Sequence, residues 1–355
     1  MNNLAIGRFL SLGLAGLAII SSLSLNSCKR QTITEVDTVY VHDPDLDDSV
    51  SGWTYRQSGT QSGLVISQFA STNVGTVAGD NGTVLRTTDM GNTWRSMATV
   101  PSGVTQYGVW FFDANNGFTI DASSISRTSD GGASWQVSSS PSSNWLRSLC
   151  FIDRMTGFVG SADPYSSPAG SDGEIWRTSD GGITWNQVLA NYTGGIYNIQ
   201  FSSPTTGIAT GKFGAAFYTT DAGLTWSQAS TDQPIAFYTH TAFVNATTGF
   251  APTGSLVSNS IGLDTTIGYL AKTTDGGRSW KTIMNTPFSL SAIATNGKGV
   301  VTAAGWGGNI LESTDNGATW NHSNLGNDRW IDVSYANATR SVMIGSYGHI
   351  VTRDR

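Results

Sequence analysis

The sequence predicts an all-β chain: a seven-bladed β-propeller of four-stranded antiparallel blades. The first observation behind this is a repeated box, Ser/Thr-x-Asp-x-Gly-x-Ser/Thr-Trp. It occurs as TTDMGNTW (87–94), TSDGGASW (128–135), TSDGGITW (178–185), TTDAGLTW (219–226), TTDGGRSW (273–280) and STDNGATW (313–320). A seventh copy opens at Thr352-Arg353-Asp354. The second is the period. The box aspartates Asp89, Asp130, Asp180, Asp221, Asp275, Asp315 and Asp354 are separated by 41, 50, 41, 54, 40 and 39 residues. A period of about 40 with short alternating strands means one blade per repeat. The third is composition: 12% charged residues and 42 glycines describe a turn-rich β protein rather than a helical one.

The second blade shows the anatomy. VTQYGVWFFD (104–113) alternates and ends at the turn ANNG, and FTIDA, SISRT, the box and SWQVSS follow. The box is therefore the hairpin between the third and fourth strands. Its glycine supplies the positive φ of the turn. Its aspartate bonds backbone N–H groups two residues on, and its hydroxyls add local bonds. Its tryptophan (Trp94, Trp135, Trp185, Trp226, Trp280, Trp320) opens the outer strand and covers apolar area at the next contact. These boxes are read as scaffold, because a catalytic group repeated in every blade has no single substrate to face.

The seventh blade lacks its fourth strand. Trp53-Thr54-Tyr55-Arg56-Gln57 looks like the residues that follow a box tryptophan. The expectation is ring closure by strand 52–57 on the C-terminal strand 348–353, which removes the open sheet edges.

The chain opens with Arg8 and an apolar run over residues 9–25 that ends in Leu25-Asn26-Ser27-Cys28. The run is shorter than the roughly 20 apolar residues a spanning helix needs and follows a positive n-region. It resembles the bacterial lipoprotein signal, which implies lipidation of Cys28. Residues 29–51 carry six carboxylates and read as a solvated acidic tether. The propeller then occupies 52–355. These features lead to the expectation of a chain outside the cytoplasm, lipid-anchored in the bacterial cell envelope on the periplasmic or outer-membrane side; separately, a monomer is expected.

The form of the repeats, in Asp80-Asn81-Gly82-Thr83-Val84-Leu85-Arg86-Thr87 and Thr206-Gly207-Ile208-Ala209-Thr210-Gly211, resembles the Asp-box (BNR-type) propellers. Within these it is most similar to the photosystem II stability/assembly factor-like (Ycf-type) family, over about 52–355. The resemblance implies a non-catalytic assembly module. Photosynthetic members have a basic patch for a membrane-protein client. This chain has a net charge of −6 and five lysines, so that client does not carry over.

Propeller topology puts the box hairpins and the loops between first and second strands on one face, the bottom. The opposite, top face holds the insertions at 161–174 and 252–268 and a set of aromatic and cationic residues. Loops on a rigid scaffold carry function, and the candidate binding residues there are Trp110, Trp145, Arg147, Tyr165, Tyr197, Tyr238, His240, Trp306, Arg329, Trp330 and Tyr347. Arg95, Arg154, Arg278 and Arg340 fall on the bottom, and Arg86, Arg127 and Arg177 share one strand position before the box. That leaves only Arg147 and Arg329, with Arg56, near the top, too few for a sialidase arginine triad. A glycosidase needs two carboxyl groups about 5–9.5 Å apart. The top offers Asp80, Asp121, Asp163, Asp172, Glu174, Asp232, Asp264 and Asp328 as candidates. His240 and His349 sit on separate blades without a carboxylate neighbour in sequence. Four scattered histidines and no CxxC or HExxH pattern argue against a metal site, and no cofactor motif is present. The acidic balance argues against nucleic acid.

The expectation is a non-catalytic protein-binding or assembly module with an unknown protein or envelope glycan as partner. The alternative is a carbohydrate-binding or glycoside-hydrolase-like protein that uses the aromatic top face.

Overall fold

Six box hairpins form the same hydrogen-bond knot. In the first, Thr87 Oγ1 donates to Asp89 Oδ1 (2.7 Å) and accepts from Gly91 N (2.8 Å). Asp89 then accepts from Thr93 N (2.9 Å) and Thr93 Oγ1 (2.7 Å). Asp130, Asp180, Asp221, Asp275 and Asp315 repeat these bonds with their own flanking hydroxyls. Two consecutive box residues are left-handed. Glycine fills both positions in three boxes, whereas Met90, Ala222 and Asn316 occupy the first of them in the other three (φ 64°, 60° and 59°).

The computed structural model describes residues 52–355 apart from 164–172, 192–193, 234–235, 256–257, 260–261 and 264–267. The leader, Cys28, the acidic tether and Tyr165 lie outside the described residues. Seven blades follow one another, all antiparallel from an inner to an outer strand. The first is Leu64–Phe69, Gly75–Gly79, Val84–Thr87 and Arg95–Ser96. The last is Trp330–Tyr335, Arg340–Gly345 and Ile350–Asp354, completed by Thr54–Arg56 from the other end of the described chain. The closing register is Thr54↔Thr352, Tyr55↔Val351 and Arg56↔Ile350. Trp53, fully buried, packs with Val351 and Met343 and so fills the box-tryptophan place that the seventh repeat does not encode. On the other side of this blade Arg340 pairs with Asp354 and donates to Met90 O (3.2 Å) and Asn92 Oδ1 (2.6 Å) in the first box.

Seven apolar clusters hold the ring, one at each blade-to-blade contact. Box tryptophans sit in them edge-on to phenylalanines, as in Trp320 on Phe250 (5.5 Å) and Trp135 on Phe111 (6.2 Å). The second strands, such as Gly157–Ala162 and Val301–Gly305, are buried throughout and rich in Gly, Ala, Ser and Thr, which lets the blades approach. Phe69, Phe111, Phe151, Phe201 and Phe243 each lie directly across from a glycine six residues on, as in Phe151↔Gly157. A Cβ at Gly157 would come within 2.4 Å of the Phe151 ring, so the aromatic face covers the backbone that the glycine bares.

The fifth blade departs from the pattern. Its inner strand is split into Ala236–Tyr238 and Ala242–Phe243, and Ser230–Thr231 adds a parallel strand outside Ser279–Thr286.

Candidate binding site at the mouth of the central channel

The seven inner strands enclose a channel of about 830 Å³. Its wall is set by a repeated irregularity. Five inner strands carry a β-bulge near their start, at Val65, Arg147, Tyr197, Ser291 and Ile331. A bulge leaves one residue unpaired, bends the strand and re-aims a side chain. Here all five bulged residues line the channel, while Leu146, Ile196 and Trp330 before them point into the core.

Cations and rings meet at the top of this wall. The Arg147 guanidinium carbon lies 4.3 Å from the Tyr107 ring centre, 5.0 Å from Trp145 and 5.4 Å from Tyr197. Lys212 Nζ lies 5.0 Å from Tyr197 and 5.4 Å from Phe237, and those rings meet edge-to-face at 4.8 Å. Across the ring Arg329 lies 4.0 Å over Trp306. Among the described residues Arg147, Lys212 and Arg329 have no carboxylate partner, and Arg147 Nε is buried without a hydrogen bond. Ring faces attract a cation but leave its N–H donors unspent. Chemically, the mouth can hold a planar or anionic group against aromatic walls.

Two rings are held at a backbone cost. The turn between second and third strands has a left-handed residue, filled by Asn81 in the first blade and Gly307 in the sixth. The fourth and seventh blades place Phe213 (φ 54°) and Tyr347 (φ 58°) there, and Tyr347 is 54% exposed. A bulky side chain in this region is strained.

The predicted residues separate into three groups. Arg147, Trp145, Tyr197, Trp306, Arg329 and Tyr347 are half-buried or exposed at the mouth, and Trp145 is 40% exposed. Trp330 and Tyr238 are corrected: both are buried, Trp330 in the contact of blades six and seven and Tyr238 in that of blades four and five. They are core residues because they stand on the inward side of the bulged or split strand. Trp110 is half-buried in the channel wall and packs against blade three. His240 lies in the wall too, and it does have a carboxylate neighbour, Asp332, at 3.6 Å. His349 likewise faces Asp328 at 2.9 Å, off the line of a hydrogen bond. Tyr107, Lys212, Phe213 and Phe237 were missed. Comparing the turns between second and third strands would have found Lys212 and Phe213 where the seventh blade has Ser346-Tyr347.

The top-face carboxylates are engaged. Asp121 accepts from Ser123 N and Ser124 N (2.8 Å each) and Ser124 Oγ (2.5 Å). Glu174 accepts from Ser142, Ser161 and Trp176. Asp328 holds Tyr55 OH at 3.0 Å, Asp232 caps Thr282, and Asp80 accepts from Thr105 (2.8 Å). Asp172 and Asp264 lie outside the described residues.

The comparisons with known proteins fit this geometry. A structure described as YCF48 bound to D1 peptide superposes with a TM-score of 0.66 at 19% identity, covering 86% of this chain and 97% of that one. YCF48 from Cyanidioschyzon merolae gives 0.65 at 19%, over 86% and 99%. The GH74 xyloglucanase from Xanthomonas campestris gives 0.62 at 15% identity, and this chain, 85% covered, spans 53% of that enzyme. At these identities the likeness is one of fold. No curated protein matches the sequence. The family described as photosynthesis system II assembly factor YCF48 matches residues 46–353, nearly the whole propeller, and the chain belongs to that family.

Proposed function

We propose that this chain is a lipid-anchored, extracytoplasmic, non-catalytic assembly module that holds a segment of a protein partner at the channel mouth, on the face opposite the box hairpins. The observation that carries it is the set Arg147, Lys212 and Arg329, framed by aromatic rings and without acidic partners among the described residues. Rings that are rigid, and cations already stripped of part of their water, are what binding hot spots are made of. The related YCF48 propeller is described with a D1 peptide. The class of partner, a peptide segment, is carried over. D1 itself is not, because identity is 19% and this chain carries a net charge of −6.

The test is capture of partners from detergent-solubilised envelopes by the wild type and by Arg147→Ala/Lys212→Ala. Loss of captured proteins in the variant alone is expected, and the same set captured by both would overturn the assignment of this face. For the anchor, Cys28→Ser should move the chain from the membrane to the soluble fraction; unchanged partitioning would remove that part of the proposal. A glycan reading rests on Trp145 and Tyr347 as exposed stacking platforms. Retention on an envelope-polysaccharide column that is lost in Trp145→Ala, with protein capture unaffected, would favour it.

A further inference from the structure

The channel wall contains one described carboxylate, Asp332, and one imidazole, His240, and they face each other. Asp332 is buried. Its Oδ2 accepts from Ser67 N (2.7 Å) and Ser67 Oγ (2.8 Å), and Ser67 Oγ also meets Ser334 Oγ at 2.8 Å. Ser67 stands in the first blade and Asp332 in the seventh, so these bonds stitch the contact between the first and last blades. On the other side His240 Nδ1 lies 2.7 Å from Ser291 O in the sixth blade, and Ser291 Oγ donates to Trp330 O (2.7 Å) in the seventh.

A carbonyl only accepts, so His240 Nδ1 must carry the hydrogen. Its Nε2 is then bare in the neutral ring and turns its lone pair toward Asp332 Oδ1, 3.6 Å away. With Asp332 ionised and the ring neutral, a lone pair faces a buried negative charge. One proton placed between them removes the conflict. It sits either on Oδ1, pointing at Nε2, or on Nε2, pointing at Oδ1. In both forms the repulsion across the 3.6 Å gap is gone, and the bonds on either side, Ser67 to Asp332 and His240 to Ser291, are kept.

We propose that Asp332 and His240 form a one-proton switch in the channel wall that tightens the seam between the first and seventh blades in acid and loosens it when the proton leaves. Burial is the larger influence on Asp332 and raises its carboxyl above the ordinary range, against the opposing pull of His240 and Ser67. A carboxyl raised in the folded chain contributes stability that is present below its unfolded value of about 3.9 and is lost as pH rises through the folded value. The other titratable groups of the wall are Arg147 and Cys150 from the third blade, Arg329 and Tyr335 from the seventh, and Tyr107 and Tyr197 from the second and fourth. Burial pushes Cys150 and Tyr335 each up to about 12, out of the relevant range. On the split strand that carries His240, Tyr238 is likewise pushed up to about 12, by burial. The inner strands Leu64–Phe69 and Leu290–Thr295 contain no titratable side chain.

The test is amide hydrogen exchange of segments 64–69 and 330–335, corrected for the intrinsic pH dependence of exchange, in the full chain from about pH 5 to about pH 8. Wild-type protection should fall by about tenfold or more as pH rises. Asp332→Asn should keep the seam bonds through its amide oxygen and lose that dependence. If Asp332→Asn does not fold, His240→Gln, which cannot titrate, is compared in its place. A pH dependence equal to the wild type's in the folded variant, or none in the wild type, would overturn the proposal.

Discussion

The two faces of this propeller use the same residue types to opposite ends. On the bottom, the carboxylates of the six complete boxes accept bonds from within their own hairpins. Asp354, read as a seventh box aspartate, instead ends the last strand and pairs with Arg340, as Asp113 pairs with Arg154 (2.6 Å). On the top, Arg147, Lys212 and Arg329 have rings for neighbours and no counter-charge among the described residues. A surface that satisfies its own polar groups gains stability and has nothing left to offer a partner. A surface that leaves donors unspent gives up stability and keeps its chemistry available. Six bottom hairpins repeat one solution, whereas the top turns share a left-handed residue but fill it with Asn81, Phe213, Gly307 or Tyr347.

The largest expected effect on the structural side is at the closing strand. Trp53→Ala should cost about 3–5 kcal/mol, because it empties a fully buried aromatic site. Trp145→Ala on the top should change stability by less than about 0.5 kcal/mol while weakening partner capture. Urea denaturation of the two variants measures the contrast, and equal losses would erase the distinction between the faces.

Next is the box glycine. Gly317 has φ 78°, and a Cβ there would lie 2.0 Å from the Phe250 ring. Gly317→Ala should therefore cost about 2–4 kcal/mol, the sum of left-handed strain and overpacking.

A smaller pair of changes tests where strain is spent. Ala222→Gly on the bottom and Tyr347→Gly on the top both relieve a left-handed non-glycine residue, and each should raise stability by about 1 kcal/mol. Only Tyr347→Gly should weaken partner capture. Should neither affect capture, the strain at Tyr347 has no role in binding.

The smallest effect per site is in the box carboxylates, which are half-buried or exposed. Hydrogen bonds from the box hydroxyls, Ser134, Thr184 and Thr225, hold Asp130, Asp180 and Asp221 down at about 2. Depressed carboxyls contribute stability that is present above their unfolded value of about 3.9 and lost as pH falls through the folded value. Thermal stability should drop between about pH 4 and pH 2, with a shallower slope in Asp130→Asn/Asp180→Asn. An unchanged slope would show that the box bonds are replaced by water at no cost.

The architecture was legible because its information is local and repeated. Asp89 and its five counterparts bond residues two to four positions away, so spacing alone locates each hairpin. Trp53 was legible for the same reason, since it and the residues after it look like the start of an outer strand. The site was legible only in part. Strict alternation cannot place Arg147 or Tyr197, because a bulge shifts the register at their positions. It also sends Trp330 inward where a surface residue was expected.

The sequence by itself determined the number of blades, the box hairpins, the closing strand and which loops share a face, because each of these depends on contacts within one repeat or on the order of repeats. Only the tertiary structure decided which side chains reach the channel and what they meet there. Arg147 finds Tyr107 and Tyr197, and Asp332 finds Ser67 and His240, across blades that are 40 to 265 residues apart in the chain. Such encounters are fixed by how seven sheets pack around one axis, which no stretch of a single blade encodes.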